Sequence, residues 1–210
     1  MKHSSKGIFV MIVAMLMMGQ AFAQYQQTVT YDDGSSYTGQ RDGKERRHGR
    51  GIMMFANGDK YDGEWNKGII EGKGMYTYAN GLVYDGQWVK GNIKGHGTFR
   101  FPNGSVMEGD WTAMGTGTGY LVWTDGTRYE GGFLNGAPQG QGVKVWPNGD
   151  RYEGNFIQGH MSGQGKLTTK SGSSYTGGWL NDQYNGEGVY VSPDGEIIRG
   201  KFQNGQLVEK

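Results

Sequence analysis

Along most of the chain, apolar residues and glycines alternate with polar residues at a period of two. In Tyr84-Asp85-Gly86-Gln87-Trp88 and in Gly97-Thr98-Phe99-Arg100-Phe101 one set, Tyr84, Gly86, Trp88, Gly97, Phe99 and Phe101, falls on one side. Asp85, Gln87, Thr98 and Arg100 fall on the other. That period belongs to β-strands with one covered and one solvated face. The runs are separated by turn signals: Asp33-Gly34, Asn57-Gly58, Asn80-Gly81, Pro102-Asn103-Gly104, Asp125-Gly126, Pro147-Asn148-Gly149 and Pro193-Asp194-Gly195. A two-residue Asn-Gly turn competes with a three-residue turn that ends on a left-handed glycine. Pro102, Pro147 and Pro193 favour the longer form, because proline would otherwise interrupt a strand. The longer turn sets Tyr84 opposite Tyr76 and Gly86 opposite Gly74, so aromatic rings and glycines share one face. The expected fold is all-β, an elongated single-layer antiparallel sheet of tandem hairpins whose thin core is rings laid over glycine.

The pattern recurs. Counted from its tyrosine, the frame reads Y-x-G-x-W-x-x-G-x-x-x-G-x-G, with starts at Tyr37, Tyr61, Tyr84, Met107, Tyr129, Tyr152 and Tyr175, spaced 24, 23, 23, 22, 23 and 23 residues apart. A broken unit follows from Ile198, and the residues before Tyr37 read as half a unit. The expected organisation is a leader over 1–23, a half-repeat over 24–36, seven repeats over 37–197 and a partial capping repeat over 198–210. The one-residue irregularities, between Gly39 and Gly49 and between Gly109 and Gly117, fall around the middle glycine. That stretch reads as a loop, because an insertion within a strand would invert every later side chain. The copies YDGEWNKGIIEGKG and YDGQWVKGNIKGHG resemble the MORN repeat (membrane occupation and recognition nexus). Arg41, Met107 and Ile198 depart from that pattern in the first, fourth and last units. The resemblance implies a scaffold that self-associates or joins other domains, with phospholipid binding as the second association.

Composition sharpens this picture. Glycine makes up 41 of 210 residues, against ~7% in ordinary chains; yet 6 Trp and 13 Tyr argue against disorder. The chain has no cysteine, so disulfides and thiolate chemistry are excluded. At the N-terminus, Lys2 and Lys6 precede an apolar run from Ile8 to Met18 and Ala21-Phe22-Ala23. This is the pattern of a cleaved signal peptide. Cleavage after Ala23 would export the chain to a periplasm or the medium. Without the two leader lysines the charge is close to neutral, which argues against nucleic acid as the partner.

Candidate chemistry is sparse. His48, His96 and His160 each sit beside a glycine in separate units, expected in loops, and no pair has metal-ligand spacing. Pairs such as Gly72-Lys73-Gly74 have no following helix to hold phosphate. No catalytic residue, metal or cofactor is expected, so the chain reads as a non-enzyme. The acidic ladder Asp62, Asp85, Glu108, Glu130 and Glu153, with Glu64 and Asp110, reads as a solvated face. Two candidate binding features remain. Lys44, Arg46, Arg47 and Arg50 form a basic loop able to meet anionic lipid headgroups. Tyr61, Trp65, Tyr84, Trp88, Trp111, Tyr129, Phe133, Tyr152, Phe156 and Trp179 form a ring stripe that is either core or a groove for a partner polypeptide, a second copy of the chain, or an envelope polysaccharide. Arg199 and Lys201, on what reads as the last strand, oppose strand addition and predict a monomer or discrete dimer.

Overall fold

The computed structural model describes residues 27–210; the expected leader over 1–23 lies outside them. Among the described residues there are seventeen strands and no helix, and within each of two units the strands pair antiparallel with their sequence neighbours. The chain divides into two units at Asn92 and Ile93. The first holds β1 (Gln27–Thr30), β2 (Ser36–Arg41), β3 (Arg47–Met54), β4 (Lys60–Asn66), β5 (Ile69–Thr77) and β6 (Val83–Val89). The second opens within β7 (Asn92–Arg100). It continues through β8 (Val106–Ala113), β9 (Thr116–Val122), β10 (Arg128–Leu134), β11 (Ala137–Val145) and β12 (Arg151–Ile157). It ends with β13 (His160–Thr168), β14 (Ser174–Leu180), β15 (Gln183–Val191), β16 (Ile197–Gln203) and β17 (Gln206–Glu209).

The register is the one the sequence implies. Tyr76 faces Tyr84 and Gly74 faces Gly86. Glycines pair with glycines across the first unit, Gly39 to Gly51 to Gly63 to Gly74 to Gly86. A second row runs from Gly97 through Gly142 to Gly200 in the other unit. The three-residue turn prevails at every interval. In Phe101–Ser105, Phe101 N donates to Ser105 O at 2.9 Å and Gly104 N to Phe101 O at 2.9 Å. Gly104 takes φ 88°, the left-handed conformation that closes this turn type. The same bonds close Thr169–Ser173, a turn without Asn or Asp before its glycine. There Thr169 Oγ1 caps Ser173 N at 3.1 Å.

The stretch around the middle glycine is not a loop. Strands run through it and meet in two-residue turns such as Lys67-Gly68, where both residues have positive φ, 52° and 93°. His48, His96 and His160 accordingly lie in β3, β7 and β13. The amide at the second position of these turns reaches back one repeat, as Gly68 N to Arg47 O at 2.8 Å, Gly159 N to Pro138 O at 2.9 Å and Asp182 N to Met161 O at 3.0 Å. The odd spacings are absorbed here. The extra residue of the first repeat converts its turn to a three-residue form, Asp42–Arg46, with Asp42 N donating to Arg46 O at 3.0 Å. The missing residue of the fourth repeat goes with a displaced bulge. Elsewhere the register slips just after the first glycine, between Gly63 and Trp65 for instance, but in β8 the pairing stays regular through Trp111 to Gly117 and slips between Trp111 and Ala113. Arg199 and Lys201 lie on β16. β17 pairs with β16, so those two charges do not stand on the final strand.

An aromatic face with a groove in the second unit

The candidate stripe is the core. Tyr61, Tyr84 and Tyr152 are 0% exposed, and Trp65, Trp88, Trp111, Tyr129, Phe133, Phe156 and Trp179 are at most 5% exposed. Each ring lies edge to face on the next. In the first unit Tyr61 meets Trp65 at 5.2 Å and 88° and Trp88 at 5.7 Å and 85°. In the second Tyr152 meets Phe156 at 5.2 Å and Trp179 at 5.0 Å. This arrangement satisfies ring quadrupoles as well as burial.

Glycine makes room for the rings: a Cβ on Gly63 would come within 2.6 Å of Tyr61 Cζ. Bulges make the hydroxyls useful. Where the register slips, a backbone carbonyl leaves the ladder, and the tyrosine three residues earlier donates to it. Tyr61 Oη reaches Glu64 O at 3.0 Å, Tyr152 Oη reaches Asn155 O at 3.1 Å, and Tyr175 Oη reaches Gly178 O at 3.1 Å. The fourth repeat has no tyrosine and its register slips after Trp111 rather than after its first glycine, and Met107 fills the position. With Asp110 kept in the ladder opposite Thr118, a hydroxyl at position 107 would have no released carbonyl to satisfy. The indoles of Trp65, Trp88, Trp111 and Trp179 each donate to a glycine carbonyl on the preceding strand, as Trp88 Nε1 to Gly74 O at 3.0 Å.

The accessible parts of this face belong to other residues. Trp123 and Trp146 are half-buried and bracket Lys144, whose Nζ stands 5.4 Å and 5.0 Å from their ring centroids. Lys144 occupies the position opposite Tyr129 and Tyr152, which holds a tyrosine or apolar residue in neighbouring repeats. Beyond Trp146 an open groove of about 450 Å³ runs across the sheet, floored by Met161, Leu167, Trp179 and Tyr184. One carboxylate lines each end. Asp150 Oδ2 accepts from Asn148 Nδ2 at 2.9 Å and Oδ1 from Lys170 N at 2.9 Å. Asp182 Oδ1 accepts from Met161 N at 2.8 Å, while Oδ2 pairs with His160 Nδ1 at 2.6 Å. Asp182 sits at φ 67° in a turn position that Gly68, Gly91, Gly115, Gly136, Gly159 and Gly205 fill elsewhere. The sequence signal for it is a broken W-x-x-G, Trp179-Leu180-Asn181-Asp182, in which no glycine follows at the next position either; the signal for Lys144 is a charge at an inward position.

The basic residues do not converge. Arg46 clasps Asp42 at 2.6 Å, and this hydrogen bond holds the Asp42 carboxyl down at about 2. Arg47 lies over the Trp65 ring at 4.5 Å and donates to Gly68 O at 3.0 Å. Arg46 and Arg47 line one groove together with Asp33 and Glu45, and Arg50 lines another with Glu64 and Glu71. Lys44 is exposed at the turn tip. The acidic ladder faces outward and is locally paired: Asp62 with Lys60 at 3.5 Å, Glu153 with Arg151 at 2.7 Å, and Glu108 with His96 at 3.3 Å and with the Tyr120 hydroxyl at 2.6 Å. Among the described residues no group of three or more His, Asp or Glu could hold a metal ion, and no helix is long and apolar enough to cross a membrane.

A family model described as MORN repeat matches residues 46–60, 61–83, 84–106, 129–151, 152–174 and 175–197, together more than half of the chain. The unmatched fourth repeat is the one that has Met107 in place of tyrosine and a register slip after Trp111. No curated protein matches. Among solved structures, the chain is similar to the SAS-4 TCP domain of Drosophila melanogaster in complex with a proline-rich motif of Ana2, with 13% identity, 91% of this chain and 99% of that one covered, and a TM-score of 0.35. It is similar to the TCP10 domain of Danio rerio CPAP in complex with a peptide of STIL, with 18% identity, coverages of 88% and 99%, and a TM-score of 0.33. It is also similar to virginiamycin B lyase from Staphylococcus aureus, with 12% identity, coverages of 83% and 54%, and a TM-score of 0.17.

Proposed function

Since this chain belongs to the MORN-repeat family, we propose that it is an exported, non-catalytic interaction protein that docks a partner polypeptide on the aromatic face of its second unit. The observation that carries this reading is the groove beside Trp146. There half-buried Trp146, Leu167 and Tyr184 border an open groove over Met161 and Trp179, and apolar concavities mark interaction surfaces. The framework rings themselves are committed to one another, so the binding surface consists of the rings that flank them.

The reading is tested by comparing the wild-type protein with Trp146→Ala in affinity capture from its own host, alongside light scattering of the purified protein. A defined polypeptide retained by wild type and lost by Trp146→Ala supports docking on this face. Loss of neither, or a mass that rises with concentration and an unchanged capture profile, points to self-association instead. Export makes a separate prediction: the mature protein should begin at Gln24 when its N-terminus is sequenced. Binding to anionic headgroups is the weaker reading, because Arg46 and Arg47 are already engaged and acidic residues share the grooves of the basic ones.

A further inference from the structure

Resting on that docking reading, we propose that the groove between Trp146 and Trp179 takes an arginine side chain presented by the partner polypeptide. Charge complementarity on an aromatic floor selects that occupant. The groove is lined by two carboxylates, Asp150 and Asp182, and by no lysine or arginine. Lys144, whose Nζ stands 5.0 Å from the Trp146 ring and 5.4 Å from the Trp123 ring, is not among the groove's lining residues. Both carboxylates are held in place by backbone amides, Lys170 N on Asp150 and Met161 N on Asp182. Each is therefore aimed before a ligand arrives, and each keeps lone pairs for a further donor.

Guanidinium suits this combination better than the alternatives. It is planar and weakly hydrated, so it can lie on the faces of Trp146 or Tyr184. It also presents donors in a fork that matches a carboxylate. An ammonium pairs with the carboxylate but stacks poorly. A neutral sugar would use the rings but bring no charge to the two carboxylates, of which Asp182 has only His160 beside it as an ion-pair partner. An acidic peptide is repelled by them.

The test uses the full chain with ¹⁵N-labelled indoles and three probes: N-acetyl-arginine amide, N-acetyl-citrulline amide, which has the same shape without the charge, and cellobiose. Arginine amide should shift the Trp146 and Trp179 indole signals saturably, and citrulline amide should bind at least about tenfold more weakly, the usual margin between charge-assisted and neutral hydrogen bonds. Asp182→Gly installs the residue that six equivalent turns already use, so it should keep the melting temperature while weakening arginine binding at least about fivefold. Asp150→Asn should weaken it as well. Absence of saturable shifts with arginine amide, equal binding of citrulline, or unchanged binding in both variants would overturn the proposal. Cellobiose shifting the same indoles in place of arginine would replace it with a sugar site. If host capture depends on Trp146 but not on Asp182 or Asp150, the docking face stands and the arginine assignment falls.

Discussion

The smallest unit of this architecture is a tyrosine over two glycines. The ring needs a bare backbone beneath it, and the hydroxyl needs the carbonyl that a bulge releases, so ring, glycine and bulge form one device. A methyl group on the floor should therefore be costly. Gly63→Ala would press a Cβ to 2.5 Å from Gly74 Cα and 2.6 Å from Tyr61 Cζ, and should lower stability by about 1–3 kcal/mol. Gly43→Ala meets nothing within 4 Å and should change stability by less than ~0.5 kcal/mol. Urea unfolding of the pair checks both. Asp59 is a second residue with a calculable effect. Its carboxylate accepts from Tyr76 Oη at 2.7 Å, Ala79 N at 2.7 Å and Asn57 Nδ2 at 3.0 Å. These bonds, the tyrosine first, hold its pKa below 3.8, and burial together with the same bond raises that of Tyr76. A depressed carboxylate contributes stability that is full above its unfolded pKa and lost as pH falls through the folded one. The melting-temperature gap between wild type and Asp59→Asn should therefore be widest near neutrality and close as pH drops below 3.8.

At the scale of the element, the hairpins were readable because local chemistry and periodicity agree. Pro-Asn-Gly specifies the three-residue turn, and the turn specifies which residues face each other. The Lys170-Ser171-Gly172 turn gave no such signal, because a threonine side chain does there what Asn or Asp does elsewhere. The middle-glycine stretch was misread as loop for a different reason. Its glycines serve a bulge and a two-residue turn inside continuous strands, and glycine density alone does not separate these from a coil. The corrected reading makes a prediction about length. The Gly43-Lys44-Glu45 turn is one residue longer than its sister turns. Replacing these three residues, together with the flanking Asp42 and Arg46 as a closing pair, by the Asn66-Lys67-Gly68-Ile69 pattern should restore the two-residue form. Far-UV circular dichroism should be unchanged and the melting temperature should move by only a few degrees. Inserting one residue between Asp62 and Gly63 instead would turn Tyr61 and Trp65 to opposite faces, and should abolish cooperative unfolding.

At the scale of the molecule, what is periodic was legible and what is singular was not. The ten rings of the stripe are legible in the sequence, but burial shows that they hold the sheet together, joined by Tyr37, Phe99, Tyr175 and Phe202. The features that distinguish one stretch of face from another are the departures, Lys144 between two tryptophans and Asp182 in a glycine's place. A pattern search treats such positions as noise, although a binding surface built on a repeat can only become specific where the repeat is broken. The same logic sets the energetics. In a solenoid each repeat touches only its neighbours, so stability is nearly a sum of repeat and interface terms. Removing residues 152–174 places Tyr175 where Tyr152 stood and Trp179 where Phe156 stood, and every strand keeps its direction and face. That variant should fold with the same β-sheet spectrum and a single unfolding transition at a lower temperature, and it should lose the groove, because Met161 and Leu167 go with the deleted segment. Removing residues 152–163 takes out one strand and its turn, so β13 would have to follow β11 in the wrong direction. Loss of cooperative melting in the second variant but not in the first is the expected result; equal tolerance of both would mean that the units do not stack in the register described.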